Sequence, residues 1–204
     1  MVDELNGKRV AFVVANEGIE QVELSEPWRA VLDAGGRPEL VAPKPGQAQA
    51  MHHLDKGDRF PVDRITDEAR AADYDAVVLP GGVANPDQLR QDAAAVDFIM
   101  SMFEKGKPVA AICHGPWTLV DGDLVDGRTL TSWPSLQTDL RNAGANWVDR
   151  EVAVCRDGIN VLVTSRKPAD LGAFCREITS VFAEPPVPSR HIRILSPLDR
   201  RAAS

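Results

Sequence analysis

The 204-residue chain has little of several things, and each shortage excludes a class of protein. It holds only three cysteines, at 113, 155 and 175, an odd number without paired spacing. A disulfide framework is therefore not expected, and a reducing compartment is. Basic residues are outnumbered, 23 Lys and Arg against 30 Asp and Glu, for a net charge of −7. Such a surface repels phosphate backbones and anionic lipids, so no nucleic-acid partner and no membrane association are expected. No stretch approaches the ~20 apolar residues of a membrane span, and the first eight residues lack an apolar signal core. The sequence reads as cytoplasmic. His52 and His53 adjoin Asp55 and Asp58, but no metal-ligand spacing accompanies them. They read as solvated loop residues, and no cofactor or metal is expected.

What is present is a globular composition, 44% apolar and 26% charged, of a size suited to one domain. Residues 8–15 (KRVAFVVA) form a nearly continuous apolar run rich in β-branched side chains, the pattern of a strand buried on both faces. Similar runs lie at 75–79 and 108–112, with a shorter one at 39–42. Helical spacing appears at 23–34, stopped by Gly35-Gly36, and again at 86–105, after Cys113 to about 120, at 134–142 and at 168–182. Residues 43–64 read as a surface excursion or small hairpin, and 151–155 with 159–164 as a hairpin around Asp157-Gly158. Alternating strands and helices predict an α/β fold with a doubly wound, mostly parallel sheet sandwiched by helices. The expected domain spans 1–183, with an extended tail at 184–204.

In such sheets ligands gather beyond the carboxyl ends of the strands. There the sequence places carboxylates in the run 16–23, Pro80-Gly81-Gly82, Cys113-His114-Gly115-Pro116 and Ser132-Trp133-Pro134. The run Ala111-Ile112-Cys113-His114-Gly115 has the layout of a nucleophile elbow, small-x-nucleophile-x-Gly. A following helix is expected to favour thiolate at Cys113. The N–H of His114, with one from Gly81 or Gly82, is a candidate oxyanion hole; the glycines equally suit a plain turn. His114 reads either as a base for the thiol or as facing a subunit contact. Glu20 and Glu23 read as dipole partners of the first helix or, if either reaches Cys113, as a carboxyl that keeps its proton beside sulfur. Cys155 and Cys175 read as core.

These runs, with Glu20-Gln21-Val22-Glu23-Leu24, Leu79-Pro80-Gly81-Gly82, Asn85-Pro86-Asp87 and Ala143-Gly144-Ala145, resemble the ThiJ/PfpI superfamily, in particular its protease I and general stress protein branch. The resemblance covers about residues 8–183. It implies a flavodoxin-like sandwich in a homo-oligomer, dimer or hexamer, with Cys113 as nucleophile, His114 beside it and Glu23 touching the cysteine. Glu20 lies close by. It further implies that an acid from another subunit, at the position of Asp87, reaches the histidine. The activities it implies are glyoxalase or deglycase action on methylglyoxal or glycated protein, cysteine peptidase action, or a non-enzymatic oxidative-stress sensor or chaperone. Small reactive carbonyls or damaged protein are the expected partners. The His-x-Glu pair of class I glutamine amidotransferases is missing, since His191 is followed by Ile192-Arg193.

Overall fold

A computed structural model describes residues 4–187. In chain order the elements are β1 (Arg9–Val13), β2 (Glu17–Glu20), α1 (Gln21–Asp33), β3 (Arg37–Ala42), β4 (Gln47–His52), β5 (Asp55–Pro61), β6 (Arg64–Ile65) and β7 (Ala76–Leu79). There follow α2 (Ala84–Leu89), α3 (Ala93–Glu104), β8 (Val109–Ile112), α4 (Trp117–Asp121), β9 (Thr129–Leu130), α5 (Gln137–Asn142), β10 (Asn146–Trp147), β11 (Val152–Cys155), β12 (Leu162–Ser165) and α6 (Leu171–Ala183).

The main sheet has seven strands in the order β11-β12-β8-β7-β1-β3-β6. All neighbours pair in parallel except β11 with β12, which is antiparallel. Within it, β3-β1-β7-β8-β12 is the flavodoxin-like 2-1-3-4-5 order of a doubly wound sheet. The apolar runs are continuous because both faces are covered. Ala11 and Val13 of β1 join a core under α3, while Val10 and Phe12 join a second core under α1 and α6. The same alternation repeats in β7 (Val77 and Leu79 against Ala76 and Val78) and β8 (Val109 and Ala111 against Ala110 and Ile112).

Residues 43–64 do form a hairpin. β4 and β5 pair antiparallel, and β4 also pairs in parallel with β2, a strand the sequence reading placed in a loop. Glycine and the acids of residues 17–20 hide that strand, which is made by pairing rather than by an apolar run. The helical stretch 86–105 is two helices, because the Asp92 side chain accepts from Ala95 N–H and caps α3 afresh. The β11–β12 hairpin is present, but Cys155 pairs with Leu162, so its connection is longer than the tight turn expected of Asp157-Gly158. Of the tail expected from 184, Glu184 ion-pairs with Arg156 at 2.7 Å and Val187 N–H donates to Gly106 C=O at 3.0 Å. Its remainder lies outside the described residues. Among the described residues, no helix is long and apolar enough to cross a membrane.

Candidate functional site

The loops after β1, β7, β8 and β9 meet at the carboxyl end of the sheet. β8 ends at Ile112, and Cys113 reverses the chain in a left-handed conformation, φ +61°. That conformation is strained for a residue with a Cβ, and the surroundings hold it. Cys113 N–H donates to Ser165 C=O at 3.0 Å, and Trp133 N–H donates to Cys113 C=O at 2.8 Å. Gly115 lets the turn sit tight on β7, since a Cβ there would strike the Leu79 carbonyl oxygen. Its N–H is spent on Ile112 C=O at 2.8 Å, so Gly115 shapes the turn and offers no free donor to a ligand.

Asn85, fully buried, fastens the β7 loop to the end of β1. Its Oδ1 accepts from Ala15 N–H at 2.7 Å, and its Nδ2 donates to Pro80 C=O at 2.9 Å and Gly81 C=O at 3.1 Å. Gly81 then packs directly against the site. A Cβ there would lie 2.5 Å from Glu23 Oε2 and 2.7 Å from Cys113 Cβ. Gly82 takes φ +83°, and a Cβ on it would strike the Gly18 carbonyl oxygen.

Glu23, in the first turn of α1, is completely buried. Its Oε2 accepts from Gly81 N–H at 3.0 Å, while Oε1 has no hydrogen-bond partner among the described residues. The carboxyl's other neighbour is the Cys113 thiol. Burial pushes Glu23 up to about 8, with the charge of Glu20 adding to the rise and the thiol and the Gly81 and Gly82 amides opposing it. Burial, and then the Glu23 carboxylate, push the Cys113 thiol up as well, against the favourable N–H groups of Gly82 and His114. The thiolate expected from a helix N-terminus is thus corrected: α4 starts only at Trp117, and low-dielectric surroundings outweigh the amides. Both shifts favour the protonated forms of the pair.

His114 turns toward the sulfur. Nδ1 lies 3.2 Å from Cys113 Sγ and Nε2 lies 3.4 Å from Ser135 Oγ, with the ring stacked on Trp133 at 5.7 Å between centroids. Burial lowers its pKa, so the imidazole is neutral at pH 7. Gly81 N–H is committed to Glu23, and the amides beside sulfur are that of His114 and that of Gly82, which also faces the Glu23 carboxyl.

These groups share a cleft of about 570 Å³ whose walls include Glu20, Glu23, Cys113, His114, Trp133 and Ser135. The β4–β5 tip adds Met51, His53 and Leu54; His53 is the solvated loop residue expected, and it also borders the cleft. Glu20 holds that tip, accepting from His53 N–H at 3.1 Å. Nothing local in the sequence marks the tip, because its position comes from β4 pairing with β2. Ser135 went unread although its neighbours Ser132-Trp133-Pro134 were singled out. Asp87 sits exposed on α2 and is not among the cleft-lining residues, so within one chain it does not meet His114. Cys155 is buried; Cys175 is half-buried at the α1–α6 surface. Among the described residues, no three His, Cys, Asp or Glu side chains are grouped to hold a metal ion.

The chain is similar to known proteins along most of its length. General stress protein 18 of Bacillus subtilis is 40% identical over 171 residues, covering 84% of this chain and 95% of the relative. A protein named as a deglycase from Pyrococcus horikoshii is 40% identical over 174 residues, covering 85% of this chain and 99% of its own. A solved two-domain protein of Anabaena variabilis, containing DJ-1/ThiJ/PfpI-like and ferritin-like domains, superposes with a TM-score of 0.77 at 34% identity. That match covers 85% of this chain and 47% of the other, so this chain spans about half of the two-domain protein. The model of the DJ-1/PfpI family matches residues 8–181. With that span matched and the sheet order observed, the chain belongs to the DJ-1/PfpI family.

Proposed function

We propose that this protein is a stress-related enzyme that uses Cys113 to process small reactive carbonyls, methylglyoxal or its protein adducts, by glyoxalase or deglycase chemistry. One observation carries the reading. The same sulfur lies between a carboxyl whose pKa is raised and an imidazole whose pKa is lowered. Opposite shifts in one cleft support reading Glu23 as the acid and His114 as the base at neutral pH. The names of the relatives, a general stress protein and a deglycase, support the same class.

The steps balance without an external oxidant. Sγ of Cys113 bonds to the aldehyde carbon of a 1,2-dicarbonyl as its proton passes to Nδ1 of His114, and the carbonyl oxygen takes the proton of Glu23. The N–H groups of Gly82 and His114 steady the developing oxyanion. Glu23, now a carboxylate, removes the remaining hydrogen on that carbon as a proton, while His114 returns its own to the ketone oxygen. Glu23 then delivers a proton to the former ketone carbon, and the neighbouring enol hydroxyl passes its own proton to His114. The aldehyde carbon is thereby oxidised to a thioester and the ketone carbon reduced to an alcohol. Water cleaves the thioester, its proton passing to Glu23 as His114 returns one to the sulfur, which releases the hydroxy acid and restores the thiol, the acid and the base.

Lactate formation from methylglyoxal by wild type and Cys113→Ala tests the reading, alongside cleavage of a denatured protein by the same pair. Full lactate formation by Cys113→Ala would end it. Proteolysis without carbonyl turnover would favour the peptidase alternative.

A further inference from the structure

The described residues include four exposed large hydrophobic side chains: Leu32, Leu54, Val83 and Trp133. Three of them, Leu54 at 93% exposure, Val83 at 63% and Trp133 at 37%, stand around the cleft that contains Cys113. They come from three separate segments, the β4–β5 tip, the loop entering α2 and the loop after β9. Apolar side chains left in water are ordinary when scattered, and informative when gathered at one opening.

The charges of the same cleft are one-sided. Among the described residues, its walls hold the carboxyls of Glu20 and Glu23 and no lysine or arginine. A carboxylate or phosphate entering there would give up water and meet no lysine or arginine of the described residues, while Glu20 repels it. The volume, about 570 Å³, is many times the ~30 Å³ that one water occupies in the liquid, leaving room beyond a three-carbon dicarbonyl. Pockets of this size ordinarily hold ligands with a substantial apolar part.

We infer that the cleft selects uncharged electrophiles bearing an apolar or aromatic arm, seated against Leu54, Val83 and Trp133, and rejects those whose arm carries a carboxylate or phosphate. This rests on the reading that Cys113 meets its electrophile in this cleft. For an aryl 1,2-dicarbonyl the steps are those above: the aldehyde carbon is oxidised, the ketone carbon reduced, and water releases an aryl hydroxy acid.

Selectivity is measured apart from turnover by labelling Cys113 at pH 7 with N-phenylmaleimide and with N-(4-carboxyphenyl)maleimide. Peptide mass mapping gives the rates at Cys113, each divided by the rate with glutathione. The thiol adds across the maleimide double bond, forming S–C and passing its proton to carbon. The expected result is at least a tenfold preference for the neutral reagent, narrowed at least threefold by Leu54→Lys and by Val83→Lys. Equal normalised rates, a ratio that neither lysine moves, or no labelling of Cys113 by either reagent would overturn the inference. Phenylglyoxal and 4-carboxyphenylglyoxal turnover is measured beside it. Absent turnover with the labelling preference intact would sink the proposed reaction alone; turnover with equal labelling would sink only the selectivity.

Discussion

The backbone N–H of Gly81 donates to Oε2 of Glu23 at 3.0 Å, joining the loop after β7 to the first turn of α1. The bond fixes the carboxyl against Cys113, and Asn85 fixes Gly81 in turn through its carbonyl. The Glu23 carboxyl is therefore held by a backbone amide.

His114→Gln keeps a polar side chain beside sulfur and removes the base. Carbonyl turnover is expected to fall about 100-fold or more, in kcat more than in KM. A loss below threefold in steady-state kinetics would take the base role from His114.

Ser135 and Asp87 separate two ways of orienting that imidazole. Ser135 Oγ already lies 3.4 Å from Nε2, whereas Asp87 is exposed and outside the cleft of its own chain. Ser135→Ala is expected to lower kcat/KM more than Asp87→Ala does. The reverse order, with activity restored by mixing Asp87→Ala and Cys113→Ala subunits, would mean that Asp87 of another copy serves the histidine.

Asn85→Ala takes away the Asn85 side-chain partner of the buried Ala15 N–H and of the Pro80 carbonyl, while the Gly81 carbonyl keeps the Glu20 N–H. Each buried group left unpaired costs about 1–3 kcal/mol, and a domain of this size loses ~2–4 °C of Tm per kcal/mol. Calorimetry should show a Tm lowered by several degrees, with turnover lost in parallel. An unchanged Tm would mean that the loop is held by something else.

Much of this architecture was legible in the sequence. The buried strands at 8–15, 75–79 and 108–112 announced themselves because a parallel sheet covered on both faces needs unbroken apolar runs. Cys113, Glu23 and the glycines at 81 and 82 were legible as chemistry at strand ends. What stayed hidden depends on distant pairing. β2 exists through its partner β4, and the tip bearing His53 and Leu54 reaches the cleft by that same pairing. The proton balance of Cys113 was misjudged because a sequence shows the helix that follows a cysteine but not how deeply the sulfur is buried.

The raised Glu23 also gives stability a pH dependence of definite sign. An unfolded chain releases this proton near the ordinary 4.5, whereas the folded protein keeps it until about 8. Between those values the folded state binds more protons, so raising the pH favours unfolding, by up to about 1.4 kcal/mol per pH unit. The contribution is complete below 4.5 and lost as pH passes about 8. Urea midpoints for wild type and Glu23→Gln should diverge in slope over that window, the variant being flatter. Parallel slopes would contradict it.

The most direct test follows the Glu23 carboxyl carbon by ¹³C NMR through a pH titration, assigned by comparison with Glu23→Gln. A midpoint near 8 is expected, with the carboxyl still protonated at pH 7. A midpoint near the ordinary 4.5 would leave the site without its acid and contradict the account.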